Sequence, residues 1–290
     1  MNDSKTVTES NKESSRIYTL YYSFFLIPFM IAIFGAVFFL LFRFITFETN
    51  NASELLNQIK IGSASKRWQS AYELSKVFNN PDHIPDDLSF KNQMISAYNH
   101  SKHDDPLVRS YLAIAMGVTR DNFYAAILTE GLNDENRESI LAAIQAVGMV
   151  GAKIALPKLK SLLKKSQFID ERLAITISTG YIGDSSSIPF LQELLYDEEP
   201  NIRWDAAIGL AKMGDTSSVF IIENLLDRNY LSSFPELTPS EIDQVISTAI
   251  YVTSILKHDR FYSKLQELAL DKNLKIRNSV IKTIKKTYNK

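Results

Sequence analysis

The sequence predicts an all-α protein: a solenoid of about six helix hairpins preceded by one transmembrane helix. Three observations carry that prediction. Residues 17–42 hold twenty-six residues without a charge. Beyond residue 60 the chain is a series of helix-period apolar segments punctuated by Pro, Gly, Asn and Asp. Within that series, four separate residue columns repeat at steps of 31 or 32 residues.

Residues 1–16 form a polar N-terminal tail. The run "IYTLYYSFFLIPFMIAIFGAVFFLLF" follows, bounded by Arg16 and Arg43, and defines a span over 17–43. As a helix it is about 39 Å long, enough to cross a hydrocarbon core of about 30 Å with tilt. It is too long for the apolar region of a signal peptide, and no small-x-small cleavage site follows it. Lys5, Lys12 and Arg16 precede the span and Arg43 and Lys60 follow it, which by one charge favours an inside tail and outside repeats. Residues 44–60 are a juxtamembrane segment, and 61–290 are the repeat domain.

Glycines 151, 183 and 214 form one column, and Leu132, Leu163, Leu195 and Leu226 a second. Arg109, Ile140, Arg172 and Arg203 form a third, and Asp121, Ala152, Asp184 and Asp215 a fourth. Four columns in register over four units mark a repeat architecture. Each unit supplies a first helix such as "IRWDAAIGLAKMG", a Gly-Asp break whose aspartate can cap, and a second helix such as "SIPFLQELL". Pro157 and Pro189 fall in the first turn of second helices, where no amide donor is lost. Such a hairpin needs its neighbour to bury its apolar face. Arg67-Trp68 and Arg203-Trp204 occupy one slot in two units, so both tryptophans are assigned to packing. The unit containing "PDHIPDDLSFKNQMISAYN" is irregular, and "NLKIRNSVIKTIKK" is a lone first helix; both suit caps.

"LVRSYLAIAMG", "NIRWDAAIGLAKMGD" and "ERLAITISTGYIGDSSSIPFLQELL" resemble bacterial HEAT-like repeats. The layout as a whole resembles a family of single-pass, membrane-anchored bacterial HEAT-repeat proteins whose biochemistry is unassigned. That resemblance implies a right-handed α-solenoid in the bacterial inner membrane, with second helices lining a concave, macromolecule-binding side. It also implies that Arg109, Arg172, Arg203, Asp121, Asp184 and Asp215 form a structural ladder between successive units. HEAT-like repeats also occur in bilin lyase subunits, which keeps open a non-catalytic accessory subunit of an enzyme as the alternative function.

Composition narrows the chemistry. Thirty-two basic and 33 acidic side chains nearly cancel, leaving no global field to gather nucleic acid. With no cysteine, thiolate nucleophiles and cysteine zinc sites are excluded. No Gly-rich phosphate loop, His-Glu-x-x-His helix or nucleophile elbow is present. "HSKHDD", residues 100–105, could ligate a metal but fits an exposed, Asp-capped turn better. The chain is therefore expected to be no enzyme and to carry neither cofactor nor metal.

Three features could form a binding surface. The segment 227–240 breaks the period, and its Tyr230, Leu231, Phe234 and Leu237 are either partner contacts or a lid folded onto the solenoid. Lys158, Lys160, Lys164 and Lys165 lie on one second helix and could meet an acidic partner. The basic end, which includes Lys285 and Lys286, could touch anionic lipid; it lacks the aromatic platform that nucleic-acid binding would need. Together these features predict a membrane-tethered scaffold that binds a membrane-associated protein, such as a subunit of a membrane or transport complex.

Overall fold

The computed structural model of the chain describes residues 26–46 and 51–288. The chain divides into two units at residues 50 and 51. The polar tail 1–16 and the first part of the expected span, 17–25, lie outside the described residues. In the first unit, α1 runs from Ile27 to Thr46, and every side chain from Leu26 to Leu41 is exposed. Among the described residues no helix is long and apolar enough to cross a membrane.

The second unit is a helical-repeat array. It opens on α2 (Ala52–Ile61), whose N-cap Asn51 accepts the Ser53 amide at 3.0 Å. Six hairpins follow: α3 (Ala64–Val77) with α4 (Leu88–His100), α5 (Pro106–Val118) with α6 (Ala125–Gly131), and α7 (Arg137–Met149) with α8 (Leu156–Lys165). Next come α9 (Ile169–Ile182) with α10 (Ile188–Leu194), and α11 (Pro200–Lys212) with α12 (Val219–Leu225). A short inserted α13 (Arg228–Ser232) precedes the last pair, α14 (Pro239–Thr253) with α15 (Arg260–Leu268), and α16 (Leu274–Thr287) closes the array. Most of α2 falls in the segment expected as juxtamembrane, 44–60. Leu55, Leu56 and Ile59 of α2 are buried, because they cover the face of α3 that no earlier hairpin covers.

First helices stack on first helices in one continuous layer from α3 to α11. Small residues at two repeat columns set their separation. A Cβ on Gly117 would lie 2.9 Å from the Ala146 Cα, one on Gly148 would lie 2.8 Å from the Ser178 Cα, and one on Gly180 would lie 3.1 Å from the Gly209 Cα. Only glycine permits backbones that close. The Ser178 hydroxyl adds a buried bond to the Ile144 carbonyl at 2.8 Å.

The turns follow the repeat. Gly151, Gly183 and Gly214 have φ of +67°, +62° and +78°, and Arg120 takes the same left-handed slot at 55°. Asp121, Asp184 and Asp215 each cap the short 3-10 turn that begins the second half of the hairpin. Ala152 fills that slot without a cap bond.

The expected Arg–Asp ladder takes a different form. The arginine column reaches acids 25 residues downstream: Arg109 binds Asp134 at 2.5 and 2.9 Å, and Arg172 binds Asp197. Arg203 turns back to donate to the carbonyls of Asp197 and Glu198 at 2.6 and 2.9 Å. In its own unit the downstream acid slot holds Arg228, so no carboxylate waits there. The aspartate column makes a separate set of bridges at the other end of the hairpins. Lys91 reaches Asp121 at 2.8 Å, Lys153 reaches Asp184 at 3.0 Å, and Gln192 reaches Asp215 at 3.2 Å. The Ser186 hydroxyl and Lys153 hold Asp184 at about 2, below the usual carboxylate range.

Two tests follow from this packing. Gly148→Val pushes a branched side chain into the α9 backbone and should cost about 3 kcal/mol or more, read by urea unfolding of the full chain. Arg109→Ala strands Asp134, whose side chain is 8% exposed, and should cost about 3–5 kcal/mol. Arg109→Met with Asp134→Leu, which removes both charges, should recover most of that loss in the same assay.

Candidate functional site

Of the two alternatives for the period-breaking segment, a partner contact or a lid, its packing in the structure is that of a lid: it lies on its own array. Leu231 is fully buried, and Tyr230, Phe234 and Leu237 pack partly buried against the core. The anchor is Trp204 on α11. Its ring meets Phe234 edge-on at 4.9 Å and Tyr230 at 6.4 Å, and its indole N–H donates to the Tyr230 hydroxyl at 3.4 Å. Thr238 and Glu241 then form the capping box that restarts the helix at α14. Aromatic side chains this apolar gain more from Trp204 than from water.

The lysine face is less organised. Lys160, Lys164 and Lys165 are exposed and Lys158 is half-buried; the Lys160 ammonium lies 5.6 Å from the Phe190 ring centre. In the "HSKHDD" turn, Asp105 caps α5 through the Leu107 amide, Asp104 pairs with Arg67, and His100 Nδ1 bonds the Ser96 carbonyl. Among the described residues no group of three or more His, Cys, Asp or Glu side chains converges as a metal site would require.

What the structure adds is a cleft of about 430 Å³ in the first-helix layer, between α9, α11 and α14. Its floor is the Gly180–Gly209 crossing, and Tyr181, Asp205, Lys212, Gln244 and Thr248 line it with Leu237 of the inserted segment. Two features open it. The small-residue columns that hold earlier helices together continue at Ala211 and then Val252, where no glycine permits close approach. The inserted α13 and the turn after it also occupy the space between α11 and α14, which pack less extensively than the pairs before them.

Asp205 is the unusual member of this site. The same slot in the neighbouring units holds Tyr111, Ala142, Ala174 and Thr248. Past their first five residues, α5, α7, α9, α11 and α14 carry only two charged side chains, Asp205 and Lys212. Lys212 lies over the Tyr181 ring at 4.7 Å. Burial pushes the Asp205 carboxyl up to about 6, and the Lys212 charge offsets this only in part. The helix register could have exposed this site: an acid in a column otherwise of Ala, Thr and Tyr is legible once units are aligned at Arg109, Arg172 and Arg203. What no alignment shows is that α14 stands back from it.

Around the cleft the first helices present a face poor in charge. Met149, Tyr181, Tyr251 and Ile255 are exposed there, with Ile177 and Ile208 half-buried between them.

HEAT repeats are matched by a family profile over residues 156–231. Comparison with curated proteins finds no match. Among solved structures, a chain from the complex of CpcE and CpcF of phycocyanin lyase from Nostoc sp. PCC7120 overlays with a TM-score of 0.57 at 16% identity, covering 80% of this chain and 86% of that one. YibA of E. coli gives 0.49 at 17% identity, with 82% of each chain covered. A designed armadillo-repeat protein in complex with the peptide (KR)4 gives 0.40 at 14% identity, over 81% of this chain and 98% of that one. The first overlay shows the fold, an all-α repeat solenoid.

The site predicts an inverse relation between Asp205 and stability. A folded-state carboxyl raised to about 6 binds its proton more tightly than the unfolded chain does, so stability falls as the pH rises from about 4 through about 6. Asp205→Ala removes that penalty and places there the alanine that two other units use. It should stabilise the chain by about 1–2 kcal/mol above pH 7, after screening by the solvent that reaches the cleft, and by almost nothing near pH 4. Thermal melts at the two pH values check both the sign and the window.

Proposed function

We propose that this protein is a membrane-tethered, non-catalytic scaffold whose helical repeats bind a partner protein across the first-helix face. The observation that carries the reading is that face itself. Four successive first helices, α7, α9, α11 and α14, display Met149, Ile177, Tyr181, Ile208 and Tyr251 with almost no charge between them. Contiguous exposed apolar surface of this kind marks a protein-binding site, and exposed tyrosine is enriched in such interfaces. A single lysine on the face gives nucleic-acid phosphates little to bind. The partner surface is thus assigned to the first helices, in place of the lysines of α8.

The tether is the uncharged run 17–42, whose residues from Ile27 onward lie in α1. Its exposed Phe29, Phe34 and Phe38 suit a lipid surrounding. Anchoring restricts the repeats to the bilayer surface and raises their effective concentration toward membrane partners without any added contact. A subunit of a membrane or transport complex is the partner this arrangement serves.

The test is purification of the intact chain from native membranes in mild detergent, beside the double variant Tyr181→Glu with Tyr251→Glu. The parent should bring down a stoichiometric membrane protein, and the variant should lose at least tenfold of it while melting normally. Equal capture by both would remove the face from the proposal. A stoichiometric soluble enzyme would instead favour the accessory-subunit function. Deleting residues 17–42 should move the chain from the membrane pellet to the supernatant; retention in the pellet would contradict the tether.

A further inference from the structure

We propose that the cleft between α9, α11 and α14 is a receptor for one basic side chain, an arginine or lysine of a bound protein segment, with Asp205 as its counter-charge. The proposal rests on the first-helix face being the partner surface and names the chemistry that the face recognises.

The argument begins with how this chain treats its other acids. Asp134, Asp197 and Asp271, each with a side chain 5–8% exposed, are all bonded to arginines. A carboxylate withdrawn from water loses solvation that only a cation or several donors can replace. Asp205, half-buried at the cleft wall, has no such partner: among the described residues, no hydrogen bond or ion pair reaches its side chain. Alanine fills its slot in two other units, so the fold has no need of an acid there.

The surroundings select a cation over other ligands. Lys212, the cleft's own base, is on the Tyr181 ring at 4.7 Å and forms no ion pair with Asp205. From α14 the cleft receives Glu241, whose carboxylate is bonded to Thr238 at 2.7 Å, and the neutral Gln244 and Thr248. From α9 it receives only the Tyr181 phenol as a titratable group. Two carboxylates against one ammonium disfavour an anion. One free carboxylate falls short of the three or more protein ligands of a zinc site. A guanidinium or ammonium would find a counter-charge with amide and hydroxyl acceptors. A volume of about 430 Å³ suits one side chain better than a folded element.

Such a receptor is pH-dependent in a defined direction. The cation binds the ionised carboxylate, and burial holds the Asp205 carboxyl at about 6. Affinity should therefore be flat above about pH 7 and about tenfold weaker near pH 5.

The experiment uses the full chain in detergent carrying Trp68→Phe, so that Trp204 at the cleft is the sole indole. The probe is the peptide acetyl-Ala-Arg-Ala-amide, with its citrulline counterpart as the neutral isostere. We expect a saturable change in Trp204 fluorescence with the arginine peptide, at least tenfold weaker with citrulline and in Asp205→Asn, which keeps shape but not charge. Asp205→Asn should melt at or above the parent temperature, which separates lost binding from lost fold. Equal binding of the two peptides, equal binding by Asp205→Asn, or no saturable signal in folded protein would each overturn the receptor. Partner capture distinguishes the two readings. Failure of the peptide test with capture still abolished by the tyrosine substitutions sinks the receptor and leaves the scaffold. Asp205-dependent peptide binding with no captured partner sinks the scaffold and leaves the receptor.

Discussion

Close approach of the first helices is the constraint on which the rest of this structure depends. At Gly117 against Ala146, Gly148 against Ser178 and Gly180 against Gly209, backbones come near enough that an added Cβ would meet a Cα at 2.8–3.1 Å. Dispersion contacts are individually small and fall off steeply with distance, so a layer of helices this close gains along its whole length. It also leaves no room for side-chain variation between helices, which confines sequence freedom to the outward face. That face is where the chain places Tyr181, Tyr251 and Met149.

Around that layer the polar groups are divided by position. Arginines on three of the first helices, Arg109, Arg172 and Arg203, reach the turns between units, as Arg172 does through Asp197, whose carbonyl then accepts from Arg203. Aspartates at the other end of the hairpins cap the second half and receive a base or amide from the unit before. The two sets fix the spacing of successive units from opposite ends, so the array can be regular without a large core in any one hairpin.

Function is read from the place where this regularity stops. Between α11 and α14 the glycine matching ends, and an aromatic segment seated on Trp204 intervenes. The cleft that results holds a carboxylate with no bonded partner among the described residues, on a face otherwise nearly uncharged. Stored destabilisation of this kind is what a binding site keeps and a purely structural position loses, because most substitutions at such a site would improve stability. The scaffold proposal and the receptor proposal both draw on this irregularity, and neither requires the solenoid to move.

The helical class, the repeat and its 31–32-residue step were legible in the sequence, because periodic burial writes the same residue type at the same slot: Arg109, Arg172 and Arg203, or Gly151, Gly183 and Gly214. The caps at Asp121, Asp184 and Asp215 were legible too, since a cap is a bond between residues two apart. The partners of the arginines were not. Residue 134 or 197 carries no mark of its role, and the aspartates beside the glycines were the more regular column. Nor was the fate of Tyr230, Leu231 and Phe234, whose apolarity serves a partner or a lid equally well until Trp204 is seen beneath them. The sequence by itself determined what repeats, because local helix geometry and burial period act within one unit. Only the tertiary structure decided where two helices stand apart, because that depends on backbone separation across units, which no single column records.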